Sequence, residues 1–249
     1  MRHLSDESYL FVDIETMPQC TDAMRDWLVA RARRAAEHGD PPANYRNPET
    51  IAKWRAEKLA AVDGEVQETI AAGALASHLG AVRCIGYAWN GAGTTVLIGG
   101  REDDMLATFL SDLISMGPHT VVVGHNVLGF DLPFLAARCM ALGMGHRAER
   151  LRYRARPWDE AVYDTMLRWP AVGAGGRPPF VALDMLHVAL CGAPCKSADV
   201  DPASAWTLPD AALSAYCAAD VAATRRVFCR MTGIEFRNGE AWQDQATTE

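Results

Sequence analysis

Positive charge is scarce in this chain. Its 249 residues carry 24 Lys and Arg against 31 Asp and Glu, a formal net charge of −7. A protein that grips nucleic acid chiefly by bulk charge is therefore not expected. A nuclease is still allowed, because carboxylates that hold metal ions add negative charge that the ions neutralise. No apolar run is long enough to cross a bilayer, and MRHLSDES lacks the apolar stretch of a signal peptide. No membrane partner is expected. The seven cysteines are an odd number without a CxxC pair. That argues against a disulfide framework and for buried, reduced thiols in a cytoplasmic protein. A zinc site on Cys191 and Cys195 is the weaker alternative. Internal repeats and low-complexity linkers are absent too.

What the chain does have is 49% hydrophobic residues, enough for a substantial core. The length fits one large domain carrying an insertion. Four carboxylates stand out in three separated segments. They are Asp13 and Glu15 in YLFVDIETMP, Asp131 in VVVGHNVLGFDLPFL and Asp220 in AYCAADVAATRRVF. Brought together in a fold, they would repel one another and lose hydration unless cations lay between them. Hard oxygen donors select Mg²⁺ or Mn²⁺. A two-metal site for phosphodiester cleavage is the reading that follows.

Hydrophobic periodicity places these segments. Tyr9 to Ile14 reads as a buried strand, Val82 to Trp89 and Thr94 to Ile98 as two more joined by an NGAG turn. Asp103 to Ser115 has helical spacing. Val121 to Val123 reads as a strand, Leu132 to Leu142 as a helix, Ala161 to Tyr163 as a strand and Val181 to Leu190 as a helix. A last helix starts near Pro209 and runs to about Met231. This order predicts an α/β domain over 1–235, a mixed five-stranded sheet flanked by helices. Residues 236–249 read as a polar tail.

Residues 18–79 interrupt the pattern as a helical insertion after the first strand. One helix spans roughly Asp22 to Glu37. PPANYRNP breaks it, and Asn47 caps a second helix with Pro48 in its first turn. The pair could merely cover the sheet edge. It could also clamp substrate through Arg31, Arg33, Arg34, Lys53, Arg55 and Lys58.

In a strand, residues i and i+2 share a face, so Asp13 and Glu15 project together while Ile14 enters the core. Asp131 lies at a helix N-terminus, which favours a carboxylate. Tyr216 and Asp220, at i and i+4 of a helix, lie one above the other. A phenol there can orient a metal-bound water. Asn126 leaves a strand end on a loop and can touch substrate. His125 either touches substrate or makes a structural hydrogen bond.

In this order, FVDIET, HNVLGFDLPFL and YCAADVAATRRVF resemble the three motifs of the DEDD superfamily, the DnaQ-like 3′–5′ exonucleases of RNase H-like fold. Tyr216, four residues before Asp220, points to the DEDDy branch. The chain is most similar to exonucleases related to the proofreading domain of family B DNA polymerases. The resemblance runs from about Tyr9 to Arg230.

It implies catalytic roles for Asp13, Glu15, Asp131, Tyr216 and Asp220, with the four carboxylates holding two divalent ions, Mg²⁺ or Mn²⁺. It also implies that Thr16 and Met17 contact the terminal nucleotide, with Phe130 as an apolar wall. The substrate would be a single-stranded 3′ end of DNA or RNA, and replication or repair proteins would be partners. An exoribonuclease and a non-catalytic binding module are the alternatives. Asp164 and Asp184 could support the site or simply cap helices. Lys196 could meet a phosphate. Arg150, Arg152, Arg154 and Arg156 alternate, and in an extended segment they would share a face along a phosphate backbone.

Overall fold

The computed structural model describes residues 8–170, 180–195 and 200–236. The chain divides into two compact units, Met1–Glu15 with Val82–Glu249, and Thr16–Ala81.

The larger unit is built on a five-stranded mixed sheet ordered β3-β2-β1-β4-β5. Its strands are β1 (Tyr9–Pro18), β2 (Gly80–Trp89), β3 (Thr95–Ile98), β4 (Val121–Gly124) and β5 (Val162–Asp164). β1 pairs parallel with β4, and β4 with β5, while β2 and β3 form an antiparallel hairpin. Asn90 closes the hairpin turn in a left-handed conformation, φ 44°. Its amide donates to Tyr9 O at 2.9 Å and its Oδ1 accepts from Tyr9 N at 2.8 Å, which fixes where β1 begins.

Alternation along β1 sorts its side chains between two cores. Leu10, Val12 and Ile14 face α3 (Glu102–Ser115) and α4 (Asp131–Ala141) and pack with Leu106, Phe109, Leu132 and Leu135. Tyr9 and Phe11 face α8 (Asp210–Thr232) and pack with Val221 and Phe228. The helices on either side of a mixed five-stranded sheet are those of an RNase H-like exonuclease fold, as the motifs implied.

A largely but not fully buried ion pair fastens α3 to α4. Arg138 gives two bonds to Glu102, at 2.8 and 2.7 Å, and Glu102 Oε1 also accepts from Val82 N at 2.8 Å. The charged side chains are only 13% and 11% exposed.

In the smaller unit, α1 (Asp22–His38) packs on α2 (Pro48–Ala71) through Leu28, Val29, Ala32 and Ala36 against Val62, Val66 and Ile70. Thr21 caps α1, accepting from Met24 N at 3.2 Å. Asn47 caps α2, accepting from Glu49 N at 2.9 Å, with Pro48 as its first residue.

Three local features depart from the sequence reading. β1 continues past Ile14 to Pro18. Two short helices, α5 (Gly145–Ala148) and α6 (Thr165–Arg168), precede α7 (Leu183–Cys191). They are too brief to show periodicity. The segment holding Arg150, Arg152, Arg154 and Arg156 is not extended. A 3₁₀ turn spans Glu149–Leu151, and Arg152 follows with φ 53°. The guanidinium of Arg152 donates to the carbonyls of Pro118, Thr120 and Ala161. Those three bonds bend the chain and break the alternation that a common arginine face requires.

Candidate active site

Asp13 and Glu15 continue the Tyr9–Phe11 face of β1, so they project toward α8. Buried Asp220 comes from α8 to meet them. Carboxylate oxygens of Asp13, Glu15 and Asp220 lie within 4.8 Å of one another, although the third residue is more than two hundred positions from the first two. Proximity of this kind is costly for three anions and favourable around a cation. The donor set is all carboxylate oxygen, with no thiol or imidazole, and it fits a hard divalent ion.

Asp131 stands beside this triad. It is the first residue of α4 and only 4% exposed. Its Oδ1 accepts from Ile14 N, the amide between Asp13 and Glu15, at 3.1 Å. Burial pushes its carboxyl up to about 7; its own amide and that of Ile14 oppose the shift, and the charges of Asp164 and Asp220 add to it.

The loop that delivers Asp131 is anchored by Asp164. This residue is 1% exposed, and its carboxylate accepts from Asn126 N at 3.1 Å and Leu128 N at 3.0 Å. It also caps α6, accepting from Met166 N and Leu167 N at 3.0 and 3.2 Å. Asn126 has φ 60°, and its carbonyl accepts from Gly129 N and Phe130 N. A Cβ on Gly129 would fall 2.3 Å from Asn126 Oδ1, so a side chain there would have to displace the Asn126 amide. Asp184 plays a similar bracing part, accepting from Cys195 N at 2.7 Å.

The remaining expected residues separate by what their side chains already touch. His125 Nδ1 lies 2.9 Å from Thr165 Oγ1 and Nε2 lies 2.8 Å from Val181 O, so both ring nitrogens brace the protein and neither is left for substrate. Arg152 is likewise spent on backbone carbonyls. Arg154 lies 3.8 Å from Glu149 and over the Tyr153 ring. Half-buried Phe130 packs on Phe134 with ring centroids 5.4 Å apart. Tyr216 is half-buried, one turn before Asp220 on α8. Thr16 and Met17 follow Glu15 in β1, within the Thr16–Ala81 unit. Lys196 lies outside the described residues.

Two positions escaped sequence reasoning. Cys217, fully buried, donates through Sγ to Asp13 O and Asp13 Oδ2, both at 3.7 Å. The neighbouring Cys84 thiol, burial and the Asp13 charge push the Cys217 thiol well up, so it keeps its proton. Gly86 on β2 makes room for it, since a Cβ there would fall 2.6 Å from Cys217 Sγ and 3.1 Å from Val221 Cγ2. A glycine inside an apolar strand is the signal that could have flagged this close approach.

Residues 87–156 match the family model described as DNA polymerase family B, exonuclease domain. That stretch includes Asp131, whereas Asp13, Glu15 and Asp220 lie outside it. The chain is also 31% identical over 140 residues to "Putative DNA polymerase 060R" of Frog virus 3 (isolate Goorha). The match covers 47% of this chain and 14% of the viral protein. Among the described residues, no helix is long and apolar enough to cross a membrane. Together with the fold and the acidic cluster, the matches support a DnaQ-like exonuclease related to the proofreading domain of family B DNA polymerases.

Proposed function

We propose that the protein is a metal-dependent 3′–5′ exonuclease of the DEDDy type. It hydrolyses phosphodiester bonds at the 3′ end of single-stranded nucleic acid, with DNA as the first substrate to test, and releases nucleoside 5′-monophosphates. The convergence of Asp13, Glu15 and Asp220 within 4.8 Å carries this reading.

Asp13, Glu15 and Asp220 would hold one divalent ion, and Asp131 would help to hold a second. Bound Mg²⁺ or Mn²⁺ supplies a water of lowered pKa and neutralises charge on the leaving 3′ oxygen. The chain's own groups do the positioning. Cys217 steadies the Asp13 carboxylate, and the Ile14 amide steadies that of Asp131. Tyr216, stacked above Asp220, orients the attacking water through its hydroxyl. Phe130 walls the last base, and Thr16, Met17 and Asn126 contact the terminal nucleotide. Arg154 and Lys196 remain candidates for phosphate contact.

A gel time course on a 5′-labelled single-stranded oligonucleotide with Mn²⁺ tests the reading. The expected result is a ladder shortening one nucleotide at a time from the 3′ end, absent for Asp13→Ala. Equal cleavage by Asp13→Ala would sink the assignment. A ladder on RNA alone would make the enzyme an exoribonuclease.

A further inference from the structure

Of the six basic residues in the smaller unit that could serve a clamp, three are already paired. Arg33 lies 3.8 Å from Asp63, Lys53 lies 3.9 Å from Glu57 and Lys58 lies 3.3 Å from Glu65. Arg55 is half-buried. Arg31 and Arg34 differ. Both are exposed on α1, and no ion pair joins either to a carboxylate among the described residues.

Helical geometry places them together. The inner face of α1 is Leu28, Val29, Ala32 and Ala36, packed on α2. At 3.6 residues per turn the opposite face carries Trp27, Ala30, Arg31 and Arg34. Asp26 and Glu37 fall to one flank of this ridge. Trp27 is 54% exposed, and the Arg31 guanidinium lies 5.2 Å from its ring centroid. An exposed indole carrying an arginine, next to a small residue and a second arginine, offers a flat surface for a base with cations beside it for phosphates.

We infer that the outer face of α1, centred on Trp27, Arg31 and Arg34, is a binding site for single-stranded nucleic acid. The charge complementarity is local, which matters in a chain of net charge −7. A single strand suits the ridge better than a duplex, because only unstacked bases present a free face to the indole. The inference rests on the exonuclease reading for its substrate class and adds a contact outside the acidic cluster.

The test is fluorescence anisotropy of a labelled oligothymidylate with the full chain in EDTA, so that no cleavage intervenes. Trp27→Ala should weaken binding at least about fivefold. Arg31→Ala with Arg34→Ala should reduce the slope of log K against log salt by about 1.4, the value for two phosphate contacts on a single strand. Circular dichroism checks that each variant is folded. Unchanged affinity and slope in both, with wild-type protein still trimming oligonucleotides, would overturn this inference and leave the exonuclease reading standing. Equal affinity for duplex DNA or polyglutamate would also overturn it, in favour of unselective polyanion binding. If the wild type trims neither DNA nor RNA, the exonuclease reading fails first and this inference with it.

Discussion

Ile14 N donates to Asp131 Oδ1 at 3.1 Å across 117 positions of sequence. The amide between two candidate metal ligands thus holds a carboxylate from a different element, and the first two acidic segments share one hydrogen bond. Asp131→Ala would leave that buried amide without its acceptor, at about 1–3 kcal/mol of stability. Asp131→Asn keeps an oxygen acceptor and removes the charge. Urea titration of the metal-free protein should rank Asn above Ala by that margin, while neither variant trims oligonucleotides. Equal stability of the two would remove the structural role of the bond.

The pH dependence has a definite sign. Asp131 moves from an ordinary value of 3.8 up to about 7 on folding, mainly through burial. The folded chain therefore binds this proton more tightly than the unfolded one. Its contribution to metal-free stability is fully present below about pH 4 and is lost as pH rises to about 7. Melting curves without metal should fall over that interval, and Asp131→Asn should flatten the fall. An equally steep fall in the variant would assign the proton elsewhere.

Divalent ions should act in the opposite direction at neutral pH. Mn²⁺ or Mg²⁺, held by the carboxylates only once they are assembled, should raise the melting temperature. Asp13→Asn relieves repulsion in the metal-free protein. If that relief is on the order of 1 kcal/mol, the melting temperature rises by about 2–4 °C. The same variant should lose most of the Mn²⁺ response. Calorimetric titration with Mn²⁺ gives a second reading, independent of catalysis.

Close approach of α8 to the sheet depends on Gly86. Gly86→Ala puts a methyl 2.6 Å from Cys217 Sγ. Overpacking of this kind costs about 1–3 kcal/mol and should displace Asp220 from Asp13 and Glu15, weakening Mn²⁺ binding. Shortening the opposing side chain with Cys217→Ala should restore part of both. A double-mutant cycle showing purely additive losses would mean that the two positions do not meet.

Glu102 and Arg138 hold the helix that begins with Asp131. Removing Arg138 leaves the largely buried Glu102 carboxylate with only the Val82 amide, so Arg138→Ala should cost less than the roughly 3–5 kcal/mol of a fully buried pair, on the order of 2 kcal/mol. Replacing both by apolar residues of similar size should cost far less. Chemical denaturation of the single and double variants separates these outcomes.

Much of this site was legible in the chain. Period-two alternation fixed that Asp13 and Glu15 share a face, and the i, i+4 spacing fixed Tyr216 above Asp220. Asn47 and Pro48 announced the start of α2 through their local chemistry. These are short-range rules, set by strand and helix geometry. Which face of β1 meets α8, and the arrival of Asp220 within 4.8 Å of Asp13 and Glu15, came from packing between distant segments. The tertiary structure also decided the fate of individual polar groups. As letters in a sequence, Arg152 looked open to substrate and His125 could either touch substrate or make a structural hydrogen bond; in the fold their hydrogen bonds go to carbonyls and a hydroxyl supplied by distant segments. Cys217 looked like one buried thiol among seven until α8 settled over Gly86 and set it against Asp13. A sequence states which donors and acceptors exist. Only the folded chain, with its distances and burial, determines which of them are already satisfied.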